Sequence, residues 1–579
     1  MRNRGKRRLA RWRALWVTFF ASAFMLFLVV RLVIIQVANN KALTAYEASF
    51  QVRHITLPAP RGDIVDANGQ ILAMDVPRDQ VVAAPRYITD PKREARTLAR
   101  FLPFSVKVLE GVLSNGSWYA VLDNGVPPAT ANRINHLNLV GISVIPVTGR
   151  LYPDGTLASQ VVGAVGSQNT GLAGIEYQDN KILAGVPGHW TVRVDPAGNP
   201  MLPWQQAYVP PKPGNTVQLT IDSNIEAQAQ KWLKWGIKRA HATNGTAIIM
   251  NVHTGAIVAL ANSPNFNPNN FAAATPLQQT DYAVQDPFPP GSIWKPVTTS
   301  AALGLGLFTP QSMFYTNGYK IVDGVRINDW NPVGWGWITL TKALVVSSDQ
   351  VFMDVALKVG AAAFYHYVNL FQFNHPSNVG LPGDANSLWI PLNQVNPVDL
   401  ATMGFGQGMA VTAMQMLAAD NAVANNGVLV QPHIVKAVLS PSGQVVKKTP
   451  ITVESRPISP AIAAEIKNMM TLEATKGTGV PAQVPGYIIA GKTGTAQKIV
   501  NGKTSANEFV ASYMGMGPMP NPTFIMLVSI NFNHPVGKLF YGDQVSAPVW
   551  KHIATFLFKY WKIKPYAGPD NGSLPGPIP

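Results

Sequence analysis

The segment FPPGSIWKPVTTSAALGLG, from Phe288 to Gly306, sets a serine three residues ahead of a lysine where a helix-favouring apolar stretch opens. Residues three apart on a helix share a face, so Ser292 and Lys295 would lie side by side. A serine hydroxyl is a weak nucleophile until a base takes its proton, and a lysine can be that base once burial or a neighbouring cation favours its neutral form. Pro296 is compatible with a first helical turn, and Pro289, Pro290 and Gly291 break the chain ahead of it. A Ser-x-x-Lys quartet arises by chance on the order of once or twice in a chain this long, so the pair alone decides nothing.

Two further polar clusters follow in order: Ser347-Ser348-Asp349 within ALVVSSDQVFMDVAL, and Lys492-Thr493-Gly494-Thr495 within AGKTGTAQK. Taken singly, the first reads as a helix cap or solvated helix face and the second as an ordinary strand and turn. No histidine lies between Ser292 and Ser347, and the ten in the chain are scattered, with no carboxylate cluster or helical pair at metal-ligand spacing. No metal and no cofactor is expected.

Together the three clusters resemble the signature of the penicilloyl serine transferases, a Ser-x-x-Lys motif, then Ser-x-Asn or a relative, then Lys-Thr-Gly on a strand. The flanks narrow the match. PGSIWKP, IIAGKTGTAQ and MGFGQGMAVTAMQMLAADNAVANNG are similar to the corresponding segments of class B penicillin-binding proteins. Upstream, PRGDIVDANG with Arg61-Gly62-Asp63, then Arg150-x-Tyr152-Pro153, then GLAGIEYQDNKILAGVPG look like three pedestal motifs of that class. Arginine, glycine and proline at turns point to architecture and partner docking for these, not chemistry.

The resemblance implies a peptidoglycan D,D-transpeptidase and a target of β-lactams. Ser292 would attack the carbonyl of the penultimate D-alanine of a stem peptide, with Lys295 as its base and Ser347 relaying a proton to the leaving amine. Lys492, Thr493, Gly494 and Thr495 would bind the substrate carboxylate and backbone, and the backbone N–H groups of Ser292 and Thr495 would stabilise the oxyanion. Asp349 stands where many members carry asparagine; the Ser-x-Asp form looks like the elongation-type variant. A hydrolytic relative (D,D-carboxypeptidase or β-lactamase) and a non-catalytic scaffold are the alternatives. Since pedestal-like motifs fill the region before the linker, a separate membrane glycosyltransferase is implied as partner.

These residues need a framework, and 579 residues that are 47% hydrophobic supply roughly three or four domain-sized units. The expected class is α+β and multi-domain: a basic tail over 1–13, a transmembrane helix over 14–38, a β-rich pedestal over 39–214, a transpeptidase domain over 215–565 and a disordered tail over 566–579. The strands of that domain are TAIIMNVHTGAIVALA as a hairpin, YIIAGKTGTAQKIV, EFVASYMGMG and FIMLVSINFN, an antiparallel sheet against which the helix SAPVWKHIATFLFKYW packs in a serine β-lactamase-like sandwich.

The run from Ala14 to Ala38 holds one charge, Arg31, and is long enough to cross a bilayer, longer than a signal peptide's apolar core. Arg2, Arg4, Lys6, Arg7, Arg8, Arg11 and Arg13 precede it with no acidic residue before Glu47, which predicts a cytoplasmic amino terminus and an extracytoplasmic remainder. Subtracting those seven from the formal charge of +16 leaves +9 with no further basic run, which argues against nucleic acid and for an anionic polymer or membrane surface as neighbour. With no cysteine, disulfides and thiol chemistry are excluded.

Overall fold

The computed structural model describes residues 3–38, 52–166, 168–194, 200–500, 503–535, 537 and 539–566. The tail expected to be disordered, 566–579, lies outside the described residues except for Tyr566, as do residues 39–51 of the expected pedestal. Contacts divide the chain into two units, one made of 1–60 and 185–213, the other of 61–184 and 214–579.

In the first unit a helix, Asn3–Val33, continues as one π-helical turn, Ile34–Ala38. Its apolar section, Arg11–Gln36, has 26 residues and a mean hydropathy of 2.4. At 1.5 Å per residue those 26 residues extend about 39 Å, more than a hydrocarbon core needs. The same unit contains a three-stranded antiparallel sheet of Val52–Leu57, Gly188–Val194 and Pro200–Val209.

The second unit is built on a five-stranded antiparallel sheet ordered Ile257–Ser263, Asn244–Asn251, Phe524–Phe532, Lys503–Gly517, Ala490–Val500. The expected hairpin, the three later strands and the closing helix Ser546–Tyr560 are all present. Side chains alternate along a strand, and here both faces are covered, so the central strand FIMLVSINF is buried at every position. One face, with Ala247, Ile249, Tyr513, Met526 and Val528, packs on the helices Ser223–Ala240 and Ser546–Tyr560 through Leu233, Trp550 and Phe558. The other, with Ile248, Met250, Met514 and Leu527, packs on Lys295–Gly304, Asp349–Val359, Ala413–Ala424 and Pro460–Lys476. Asp222 caps the first of these helices by accepting from Asn224 N at 2.9 Å.

Within the same unit, residues 61–184 form a mixed framework. A 13-residue strand, Ile71–Ala83, pairs antiparallel with Ile142–Leu151 and Ala120–Val126, and three eight-residue helices cover it. The short strand Ile64–Val65 pairs in parallel with Thr216–Leu219, so one sheet runs through the Pro/Gly-rich segment near residue 214.

The three upstream motifs meet at Glu176, whose side chain is fully buried. Arg61 Nε donates to Glu176 Oε2 at 2.5 Å, Arg150 Nε donates to Oε1 at 2.7 Å, and the Tyr152 hydroxyl donates to the same oxygen at 3.3 Å. Arg61 also reaches Asn180 Oδ1, and Arg150 reaches Asp75 Oδ1 and the Gly62 carbonyl. Buried charges are tolerated only when paired and hydrogen-bonded, and here each motif supplies what another lacks. Burial beside Glu176 raises the Tyr152 phenol above its ordinary value and keeps it a donor.

Removing one partner of a buried ion pair costs about 3–5 kcal/mol because the other charge stays behind. Glu176→Gln is therefore expected to lower the calorimetric melting transition by several degrees. A variant melting within one degree of the parent (roughly the scatter of such measurements) would remove the network from the stability of this unit.

Candidate active site

Ser292 sits in a 3₁₀ turn, Gly291–Trp294, and Lys295 begins the α-helix that follows, Lys295–Gly304. The turn opens on Gly291 at φ +57°, which a glycine adopts without strain. It lies directly on the strand carrying the third cluster. A Cβ on Gly494 would come within 2.9 Å of Ile293 Cγ2 and 3.2 Å of the Pro290 carbonyl, and one on Gly291 within 3.1 Å of the Thr495 carbonyl. Glycine at 494 thus lets the serine turn rest on the strand, with Ser292 partly exposed beside Thr495.

The second cluster enters at the other end of Lys295. The Lys295 ammonium, fully buried, donates to the Ser347 carbonyl at 2.7 Å, to Ser347 Oγ at 3.2 Å and to Asp349 Oδ1 at 2.7 Å. The hydrogen bonds of Lys295 go to Ser347 and Asp349 and none goes to Ser292, the side chain it was expected to lie beside. Asp349 is the first residue of the helix Asp349–Val359, and Ser348 caps it while donating to Asp329 Oδ2 at 2.7 Å. The cap reading therefore holds for Ser348. Ser347 stands outside the helix in the left-handed region, φ +59°, a conformation costing about 1–3 kcal/mol unless its surroundings impose it. They do: its carbonyl accepts from Lys295 and from Trp330 Nε1 at 3.1 Å.

Lys492 is the second buried lysine. It donates to the Thr493 carbonyl at 3.0 Å and lies 3.6 Å from Glu473 Oε1. Burial pushes Lys492 down to about 8, opposed by the Glu473 carboxylate and helped by the charge on Lys295. Burial raises Glu473 and Asp349, each pulled back by its lysine. Thr493, expected to face substrate, is 7% exposed, and its backbone N–H and hydroxyl both reach Glu473 Oε1, at 3.1 and 3.2 Å. Its work is inward, on the Lys492–Glu473 pair. Thr495 is partly exposed, and its Oγ1 accepts from Gly542 N at 3.0 Å, leaving its own proton for a ligand.

Among the described residues the strand Ala490–Val500 pairs only with Lys503–Gly517 and so forms one edge of the five-stranded sheet. An edge strand presents unpaired backbone donors and acceptors, and this edge runs past Ser292. The site thus combines the partly exposed Ser292 hydroxyl, two buried amines of contrasting surroundings, the Ser347 hydroxyl bonded to one of them and a strand edge. Glu473, Asp329 and Trp330 were not singled out from the sequence. Glu473 lies 19 positions before Lys492 in LEATKGTG, with no motif to mark it.

Residues 245–555 match the model of the penicillin binding protein transpeptidase domain, and residues 56–219 that of the penicillin-binding protein dimerisation domain. Stage V sporulation protein D of Bacillus subtilis is 30% identical over an alignment covering 96% of this chain and 86% of its own. Peptidoglycan D,D-transpeptidase FtsI of Escherichia coli is 28% identical, covering 93% and 90%. Penicillin binding protein 3 from Mycobacterium tuberculosis, solved with aztreonam, superposes with a TM-score of 0.68 at 25% identity, covering 89% of this chain and 98% of that one. A peptidoglycan synthetase from Bifidobacterium adolescentis does so with 0.71 at 27% identity, covering 90% and 99%.

Lys492 is expected to titrate near pH 8, charged below and neutral above, as read from its 13Cε resonance. Glu473→Gln removes the anion that supports its charge, so the midpoint should move lower still. A parent midpoint at the ordinary lysine value of about 10.4, or one unmoved in the variant, would contradict this electrostatic account.

Proposed function

The chain is a class B penicillin-binding protein, and from that membership and the geometry of the site we propose that it cross-links peptidoglycan stem peptides through an acyl group carried on Ser292. The observation that carries the reading is the meeting of three distant stretches, with Lys295 bonded to Ser347 and Asp349 and the Ser292 turn resting on Gly494 and Thr495. A non-catalytic scaffold would be expected to lack one of these side chains, and all are present and packed.

The edge strand Ala490–Val500 receives the stem peptide as an added strand, with its terminal carboxylate near Thr495 and the cation of Lys492. Ser292 Oγ attacks the carbonyl of the penultimate D-alanine, and the N–H groups of Ser292 and Thr495 meet the developing oxyanion. Lys295 takes the serine proton. Its nitrogen must first give one up, and Asp349, 2.7 Å away and raised by burial, is the group that can hold it. Ser347 Oγ, 3.2 Å from the same nitrogen, passes its proton to the departing amine of D-alanine as it receives from Lys295 the one taken from Ser292. An amine of a neighbouring strand then attacks the acyl-serine, forming the cross-link and returning the proton to Ser292. A β-lactam meets Ser292 in the pose of the peptide and stays as a stable acyl-enzyme.

The apolar helix of the first unit serves as a single membrane anchor. The basic residues before it place the amino terminus in the cytoplasm and the transpeptidase domain outside, where a separate membrane glycosyltransferase supplies the glycan.

Labelling by a fluorescent penicillin should vanish in Ser292→Ala; undiminished labelling would remove Ser292 as the nucleophile. Lys295→Arg keeps a charge but cannot act as a base, and general-base catalysis is worth about 10²–10⁴-fold. Its acylation should slow to that extent, and a rate within about threefold of the parent, far short of that range, would make Lys295 an electrostatic anchor only. Asp349→Asn should slow acylation by about 10²-fold if the carboxyl holds the lysine's proton; a parental rate would take Asp349 out of the proton path.

A further inference from the structure

Between the helix opened by Lys295 and the turn carrying Ser347, the chain makes an excursion of two small antiparallel ladders. Met313–Thr316 pairs with Gly336–Thr339, and Tyr319–Val322 pairs with Val325–Asn328. The first ladder turns Phe314 and Ile338 inward and leaves Tyr315 and Trp337 opposite each other on the outer face, rings 5.6 Å apart. Trp330 and Trp335 form a second pair, 5.8 Å apart. Tyr315 is 56% exposed, Trp330 55%, Trp335 37% and Trp337 67%, with Val333 at 82%. The transpeptidase chemistry above uses none of these faces.

Large aromatic groups gathered in the open mark a binding surface, and the chemistry of this one limits its partner. Residues 313–317, MFYTN, and 330–337, WNPVGWGW, contain no charged side chain. The available polar groups are neutral: the indole N–H groups of Trp335 and Trp337, and the amide of the exposed Asn317, whose backbone N–H is already donated to Gln350. The face is also fixed to the catalytic machinery. Trp330 Nε1 donates at 3.1 Å to the Ser347 carbonyl, the same oxygen that accepts from Lys295.

We propose that this aromatic face binds the glycan strand to which the stem peptide is attached, stacking uncharged N-acetylated pyranose rings on the Tyr315–Trp337 and Trp330–Trp335 pairs. The inference rests on the transpeptidase reading and names the part of the substrate that reading leaves unheld. A pyranose ring has an apolar C–H face and a rim of hydroxyl and acetamido groups, which match an aromatic plane edged with indole and amide donors. A peptide lodged between Ser292 and Ser347 is covalently tied to its sugar, so the strand must pass a surface adjoining Ser347. An anionic membrane surface would call for lysine or arginine, which these two segments lack, while Lys320 and Arg326 of the second ladder are engaged by Asp354 and the Tyr319 ring.

The test uses the full-length chain in detergent, with chitohexaose and peptide-free glycan strands as probes and saturation-transfer NMR as readout. Saturation should fall mainly on the ring C–H protons, and the Trp335 and Trp337 indole N–H resonances of the parent should shift on titration, a measurement independent of any variant. The double variant Tyr315→Ala, Trp337→Ala, both outer-face positions, should weaken sugar binding by about tenfold or more while Ser292 keeps its rate of penicillin acylation. No binding of either probe at millimolar concentration, unshifted indole resonances, or equal binding by the double variant would overturn the proposal. So would a variant that keeps sugar binding but loses vesicle binding or self-association. Failure of the transpeptidase reading would show instead as penicillin labelling that survives Ser292→Ala, an outcome that leaves the sugar titration unchanged.

Discussion

Two ammonium groups, on Lys295 and Lys492, are withdrawn completely from water in the same site. Taking an ion out of water costs several kcal/mol even after the protein relaxes, and two like charges raise each other's cost. The surrounding architecture resolves this by giving each lysine its own carboxylate. Asp349 arrives at the start of a helix and Glu473 near the end of another, the helix Pro460–Lys476. Because the two partners differ in distance, 2.7 Å for Lys295 and 3.6 Å for Lys492, identical side chains acquire different chemistry. The close pair fixes Lys295 on Asp349, and the looser one leaves the Lys492 cation less closely compensated.

That arrangement requires close backbone approaches that only small residues permit. Gly494 accepts the serine turn, and the carbonyl of Gly406, a residue at φ +84°, accepts from Gly291 N at 2.9 Å. A Cβ on Gly406 would collide with the Gly291 carbonyl at 2.2 Å. Behind them the sheet is buried on both faces, so the edge strand Ala490–Val500 belongs to a sheet held by two cores. The left-handed Ser347 is imposed by the same surroundings and becomes affordable because Lys295 and Trp330 both bind its carbonyl.

The framework of residues 61–184 follows the same electrostatic logic at a distance from the chemistry. Arg61 comes from one stretch and Arg150 with Tyr152 from another, and all three are satisfied by the two oxygens of Glu176. The sheet that continues from Ile64–Val65 into Thr216–Leu219 makes this framework and the following domain one unit.

The order and flanks of Ser292, Ser347 and Lys492 made the family and the three clusters recognisable, since short-range spacing is written directly in the chain. Alternating apolar runs likewise marked the hairpin at His253-Thr254-Gly255 and the strands FIMLVSINFN and EFVASYMGMG. That Lys492 would be pushed down was not legible. It depends on burial and on Asp349 and Glu473, whose distances from the lysines are set by helices packing across the sheet. For the same reason the bonds of Thr493 to Glu473 and of the Trp330 indole N–H to the Ser347 carbonyl carried no signal in the chain. The sequence by itself determined which groups are available and which local elements carry them. Only the tertiary structure decided their charges and partners, because desolvation and ion pairing depend on distances between residues far apart in the chain.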